Sequence, residues 1–109
     1  MSDRKRNLEA YRDLVDKYFE DTVKGKANPY TSMNGNMYSF LDDTGRICLR
    51  MKEDDRARYA ETLGTQPVQQ YGAIMKGYVA IPEKEYSNEH LLQDAFDLCL
   101  RHARTLNKK

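Results

Sequence analysis

A chain of 109 residues, 39% hydrophobic and 32% charged, has the size of one domain and can bury one modest core. Its formal net charge of +1 gives no global pull toward nucleic acid or a membrane, and no apolar run approaches the roughly 18 residues needed to span a bilayer. The N-terminal stretch with Arg4, Lys5 and Arg6 lacks the apolar segment of a secretory signal, so the expectation is a single cytoplasmic domain over residues 1–109.

Residues Ser2 to Lys24 repeat with helical period. Leu8, Tyr11, Val15, Tyr18 and Phe19 share one face, with Leu14 beside them. Ser2 or Asp3 can cap the start and Gly25 can close the end. Asn28-Pro29 then forces extended backbone. Three strands follow: Tyr30 to Met33, Asn36 to Leu41 and Arg46 to Met51. Asn34-Gly35 suits a tight hairpin in which both central residues take positive φ, and Asp42-Asp43-Thr44-Gly45 reads as a second turn. Alternation predicts Tyr38 and Phe40 on one face of the second strand, with Met37, Ser39 and Leu41 on the other. In the third strand it sets Ile47, Leu49 and Met51 against Cys48 and Arg50. This pattern predicts an antiparallel meander buried on one side, its other face open to solvent or to a partner.

Lys52 to Leu63 predicts a short charged helix. Glu53, Asp54 and Asp55 sit at its positive dipole end, Tyr59, Ala60 and Leu63 form its apolar face, and Gly64 terminates it. Two more strands, Pro67 to Tyr71 and Tyr78 to Ile81, precede Pro82. The last helix starts near Ser87-Asn88-Glu89 and carries the stripe Leu92, Ala95, Phe96, Cys99, Ala103 and Leu106. The order is helix, three strands, helix, two strands, helix, an α+β class.

No cluster in this pattern carries catalytic chemistry. Cys48 and Cys99, the two cysteines, form no C-x-x-C pair and read as buried reduced thiols. His90 and His102 lie on one helix more than three turns apart and cannot share a metal without other ligands. Asp42 and Asp43 are turn residues before they are a paired acid and base. There is no nucleophile elbow and no phosphate-binding glycine loop. The sequence therefore implies no cofactor, no metal and no catalytic residues. Arg101, Arg104, Lys108 and Lys109 fit the negative end of a helix dipole before they fit a phosphate-binding patch.

The loop from Gln70 to Tyr78 is the strongest binding candidate. Tyr71, Gly72, Met75, Lys76 and Tyr78 combine large amphipathic rings, an adaptable thioether and one cation between glycines. Ile74 and Met75 could instead tuck under the sheet, with the glycines allowing the bend, and packing is the favoured reading of the two.

Asn34 to Met51 (NGNMYSFLDDTGRICLRM), Asp54 to Thr65 (DDRARYAETLGT) and Gln70 to Pro82 (QYGAIMKGYVAIP) together resemble the family typified by the N-terminal domain of the competence regulator TfoX, also called Sxy. The resemblance implies a mainly antiparallel five-stranded sheet with packed helices, similar to secretion-chaperone-like folds. It also implies a regulatory setting. Two departures limit what carries over. Asn28-Pro29-Tyr30 stands near the place of the family's Met-Phe-Gly-Gly opening, and residues 1–109 hold no counterpart of the regulators' second, helical domain. The resulting expectation is a small non-enzymatic interaction or regulatory module whose partner is a protein, a second copy of the chain included. A nucleic-acid-associated transcriptional accessory role comes second, and an uncharacterised enzyme third.

Overall fold

The structure, a computed structural model, describes residues 4–25, 28–64, 68–70 and 73–108. Helix α1 (Arg4–Leu14) runs into a π-helical turn (Val15–Phe19), followed by β1 (Tyr30–Met33), β2 (Asn36–Leu41) and β3 (Ile47–Arg50). Helix α2 (Glu53–Leu63), two short strands β4 (Gln69–Gln70) and β5 (Ala73–Ile74), β6 (Tyr78–Ile81) and helix α3 (Glu89–Thr105) complete the chain. The mixed helix and strand class is as the sequence predicts.

The main sheet is antiparallel and holds four strands among the described residues, in the order β1-β2-β3-β6. The predicted five-stranded sheet is not what forms there. The segment expected as the fourth strand contributes Gln69–Gln70, which pairs with Ala73–Ile74 in a separate ladder. Proline and glycine punctuate this stretch of sequence, and two paired residues per strand are too few to extend the main sheet.

The main core fills the space between one sheet face and the helices. Ile47, Leu49, Val79 and Ile81 point into it, met by Tyr11, Val15 and Phe19 from the first helical segment and by Leu92, Ala95, Phe96, Cys99 and Ala103 from α3. Tyr11, Val15 and Phe19 lie four residues apart. An α-helix turns about 40° beyond a full circle in that interval, and the wider π turn takes back this drift, keeping Phe19 inward. There Phe19 meets Phe96 and Tyr38, with ring centroids 4.9 Å away in both cases. Glu20 then takes a left-handed conformation (φ 52°), so the helix stops well before the predicted Lys24–Gly25 end. The physical cause is tertiary. Lys24 pairs with Tyr30 through two backbone hydrogen bonds of 2.8 and 3.0 Å, which requires extended chain where local propensity favours helix.

Asn34 and Gly35 both take positive φ (55° and 81°), as the hairpin reading requires. The predicted faces of β2 need a correction. Thr31 pairs with Ser39 and Ser32 with Met37, so Tyr38 is an extra residue at a β-bulge. A bulge shifts the alternation by one position. Tyr38 and Ser39 therefore both face the helices, while Phe40 and Met37 share the opposite side. Tyr38 and Phe40 are not on one face.

That opposite side is not left open. Phe40, Cys48 and Ala80 align across three strands and form a second small core with Val68, flanked by half-buried Tyr30, Met37, Met75 and Tyr78. The sheet is thus covered on both faces over its centre. Cys48 and Cys99 are both buried and free, and they lie in cores on opposite sides of the sheet.

Polar groups buried during this packing are satisfied. Asp42, 1% exposed, accepts from the Thr44 and Arg46 amides (3.0 and 2.8 Å), the Thr44 hydroxyl (2.8 Å) and Arg46 Nε (2.9 Å). Asp42 is the organising acceptor of the β2–β3 turn, whereas Asp43 is exposed. Asn7 on α1 donates to the Gly45 carbonyl at 3.0 Å, and the Tyr86 hydroxyl accepts from the Ile47 amide at 3.0 Å. Among the described residues no helix is long and apolar enough to cross a membrane.

Candidate functional site

The residues singled out in the 70–78 loop meet the structure in two groups. Tyr71 and Gly72 lie outside the described residues. Met75, Lys76 and Tyr78 come together as one wall of a surface groove of about 420 Å³. The β5–β6 segment forms this wall. The opposite wall is α2, through Glu53, Arg56, Ala57 and Ala60, and Val68 contributes to the lining.

Each side chain is placed by a local constraint. Tyr78 opens β6 opposite Arg50. Its hydroxyl donates to the Met37 carbonyl at 2.8 Å and its ring sits edge-on to Phe40, 5.0 Å between centroids. Burial pushes its phenol up to about 12, so it stays a neutral donor over the physiological range. The Met75 amide donates to the Val68 carbonyl at 2.8 Å, which closes the short β4–β5 unit. Gly77, at φ +100°, turns the chain into β6, and its carbonyl accepts from the Met51 amide at 3.0 Å. Ile74 does not tuck under the sheet: it is 59% exposed, the sole large hydrophobic residue so exposed among the described residues. Met75 is half-buried against the second core.

The α2 wall is built from small and charged groups. Ala57 and Ala60 leave room beside the helix, and Arg56 is anchored by donation to the Met51 carbonyl at 2.9 Å. Gly64 ends α2 in the left-handed conformation, its amide donating to the Ala60 carbonyl at 2.8 Å. The sequence reading located the loop but missed this opposing wall. Its signal was the pair of alanines on a charged helix, and Ala57 fell outside the assigned apolar face.

Further depressions flank α3, two of which hold one histidine each. One, about 440 Å³, is lined by Tyr18, His90, Gln93, Asp94 and Asp97. The other, about 370 Å³, lies between α2 and α3 and is lined by Lys52, Asp55, Leu98, Arg101, His102 and Thr105. The two histidines thus belong to different surroundings, and His102 is half-buried in the seam. No group of three or more His, Cys, Asp or Glu side chains placed to hold a metal ion occurs among the described residues. The only strand-borne thiol, Cys48, is raised well above the ordinary thiol range, by burial first and then by the Asp42 charge. It is an inert core group.

Comparison with known proteins yields no match: no family model, no curated protein and no solved structure matches the chain.

Proposed function

We propose that the chain is a small non-enzymatic interaction module, regulatory in setting, whose contact surface is the groove between α2 and the β5–β6 segment. The observation that carries this reading is the convergence on one groove of an exposed Ile74, a half-buried Met75, the cation of Lys76 and the anchored Tyr78. Apolar residues and an aromatic ring with a polar edge are the composition of interface centres. Kinship with the N-terminal domain of the TfoX regulators, and the secretion-chaperone-like arrangement with it, belongs to the same proposal and rests on the segments Asn34 to Met51, Asp54 to Thr65 and Gln70 to Pro82. The partner is a protein, with a second copy of this chain the simplest form of it.

The test pairs sedimentation velocity with affinity capture from the native host, using the wild type and an Ile74→Asp, Met75→Ala variant. Both changes fall on exposed or half-buried groups, so the fold survives them. Loss of self-association or of specific captured proteins in the variant supports the groove. A strict monomer with an unchanged set of captured proteins refutes it.

A further inference from the structure

The groove between α2 and the β5–β6 segment carries on each wall one charged side chain without an ion-pair partner among the described residues. Glu53 stands on the α2 wall and Lys76 on the facing one, and both are exposed. The ion pairs among the described residues, such as Arg58–Asp55 and Arg101–Asp97, use neither of them. Arg56, the third charged residue of the lining, is engaged within the chain by the Met51 carbonyl. What remains for a partner is one carboxylate and one ammonium, held on opposite walls.

The apolar part of the groove divides in the same way. Ile74, 59% exposed, stands on the β5–β6 wall, and Ala57 and Ala60 give the α2 wall a shallow surface of small side chains. One wall thus offers a large apolar side chain and an ammonium. The other offers the shallow apolar stretch and the carboxylate that would receive them. A surface holding both halves of a complementary set can meet a copy of itself, because a two-fold axis sets residue i against j and j against i. A strongly acidic or strongly basic partner would instead leave one of the two charges facing its own sign, which is unfavourable.

We infer, resting on the groove as the contact surface, that its occupant is a second copy of this chain docked about a two-fold axis. Ile74 of each copy then lies against Ala57 and Ala60 of the other, and Glu53 of each pairs with Lys76 of the other. Every contact occurs twice. Being exposed, the charges fix register and partner choice more than affinity, while the apolar contact supplies the hold. A groove of about 420 Å³ is a small contact, so the dimer is reversible and concentration-dependent.

Sedimentation velocity over a concentration series reaching about 1 mM tests this with the wild type, Glu53→Lys, Lys76→Glu and an equimolar mixture of the two variants. The wild type should dimerise. Either variant alone sets like charges together at both symmetry-related pairs, so its self-association should weaken by about tenfold or more. In the mixture both pairs are again of opposite sign, and association should return to the wild-type level. Lys84→Glu and Glu89→Lys change the net charge by the same amounts at exposed positions outside the groove, and each should leave the dimer intact. A monomeric wild type, a mixture no better than its components, or a control pair that behaves like the groove pair overturns the inference. Capture from the native host separates it from the contact surface itself. A monomeric wild type whose captured proteins are lost in the Ile74→Asp, Met75→Ala variant refutes the second copy alone. A dimer untouched by that variant, with capture also unchanged, refutes both.

Discussion

Removing the Ser39 hydroxyl is the sharpest test of how the core is built. Tyr11, Ser39 and Thr31 are all 0% exposed, and their hydroxyls form a chain: Tyr11 to Ser39 at 2.7 Å and Ser39 to Thr31 at 2.5 Å. Ser39 is the middle link, and the bulge at Tyr38 helps turn it toward α1. Ser39→Ala breaks both contacts at once and strands two buried hydroxyls. Each costs about 1–3 kcal/mol when left without a partner, so the expected loss is about 2–4 kcal/mol after partial relaxation. Tyr11→Phe removes an end link and leaves the Ser39–Thr31 pair intact, which should cost about 1–1.5 kcal/mol. The double variant should fall short of the sum by about 1 kcal/mol, because Ser39→Ala then strands only Thr31. Urea unfolding followed by far-UV circular dichroism measures all three. If Ser39→Ala costs no more than Tyr11→Phe, or if the two effects add, the hydroxyls do not act as a chain and the reasoning fails.

Two other outcomes follow from the same packing. Asp42→Ala should destabilise the fold by about 3 kcal/mol, since it orphans an amide pair and the Arg46 guanidinium together. Asp43→Ala, at an exposed turn position, should change stability by less than about 0.5 kcal/mol in the same assay, and equal effects would contradict the single-acceptor turn. The thiols of Cys48 and Cys99, both raised by burial above the ordinary thiol range, should react with a disulfide reagent only at the rate of unfolding. Fast labelling of either in the native state would show that its core opens.

The parts of the fold legible in the sequence are those governed by local chemistry. Asn34-Gly35 specified its hairpin through the need for positive φ, Asn88 its cap by accepting from the Leu91 amide at 3.2 Å, and Gly64 the end of α2. The stripe of α3 from Leu92 to Ala103 is buried as its period predicts. The departures all depend on contacts distant in sequence. The alternation in β2 reads as unbroken because nothing in Met37-Tyr38-Ser39-Phe40 marks the bulge, which arises from pairing with Thr31 and Ser32. The first helix reads as continuous to Lys24 because its interruption comes from Lys24 bonding to Tyr30. At the candidate surface, Met75, Lys76 and Tyr78 were visible as a composition, while the α2 wall facing them became visible only once the chain was folded.

These departures relocate the candidate surface. A meander buried on one side would offer its other face to a partner, and parity alone assigned Phe40 to the same face as Tyr38. With the bulge in place, Phe40 crosses to the far side and packs with Cys48, Ala80 and Val68. The small side chains of Cys48 and Ala80 admit the Phe40 ring, and Val68 closes over them, so the centre of that face is filled from within the chain. Among the described residues the most exposed large hydrophobic side chain then lies where this second core thins out, at Ile74, next to half-buried Met75 and the alanines of α2. On the proposed reading, a partner that uses apolar contact approaches there, at the flank of the sheet, between α2 and the β5–β6 segment. The most exposed large hydrophobic residue among the described ones, Ile74, and the small side chains Ala57 and Ala60 of α2 border the same groove, which makes this flank the place where the fold offers apolar contact.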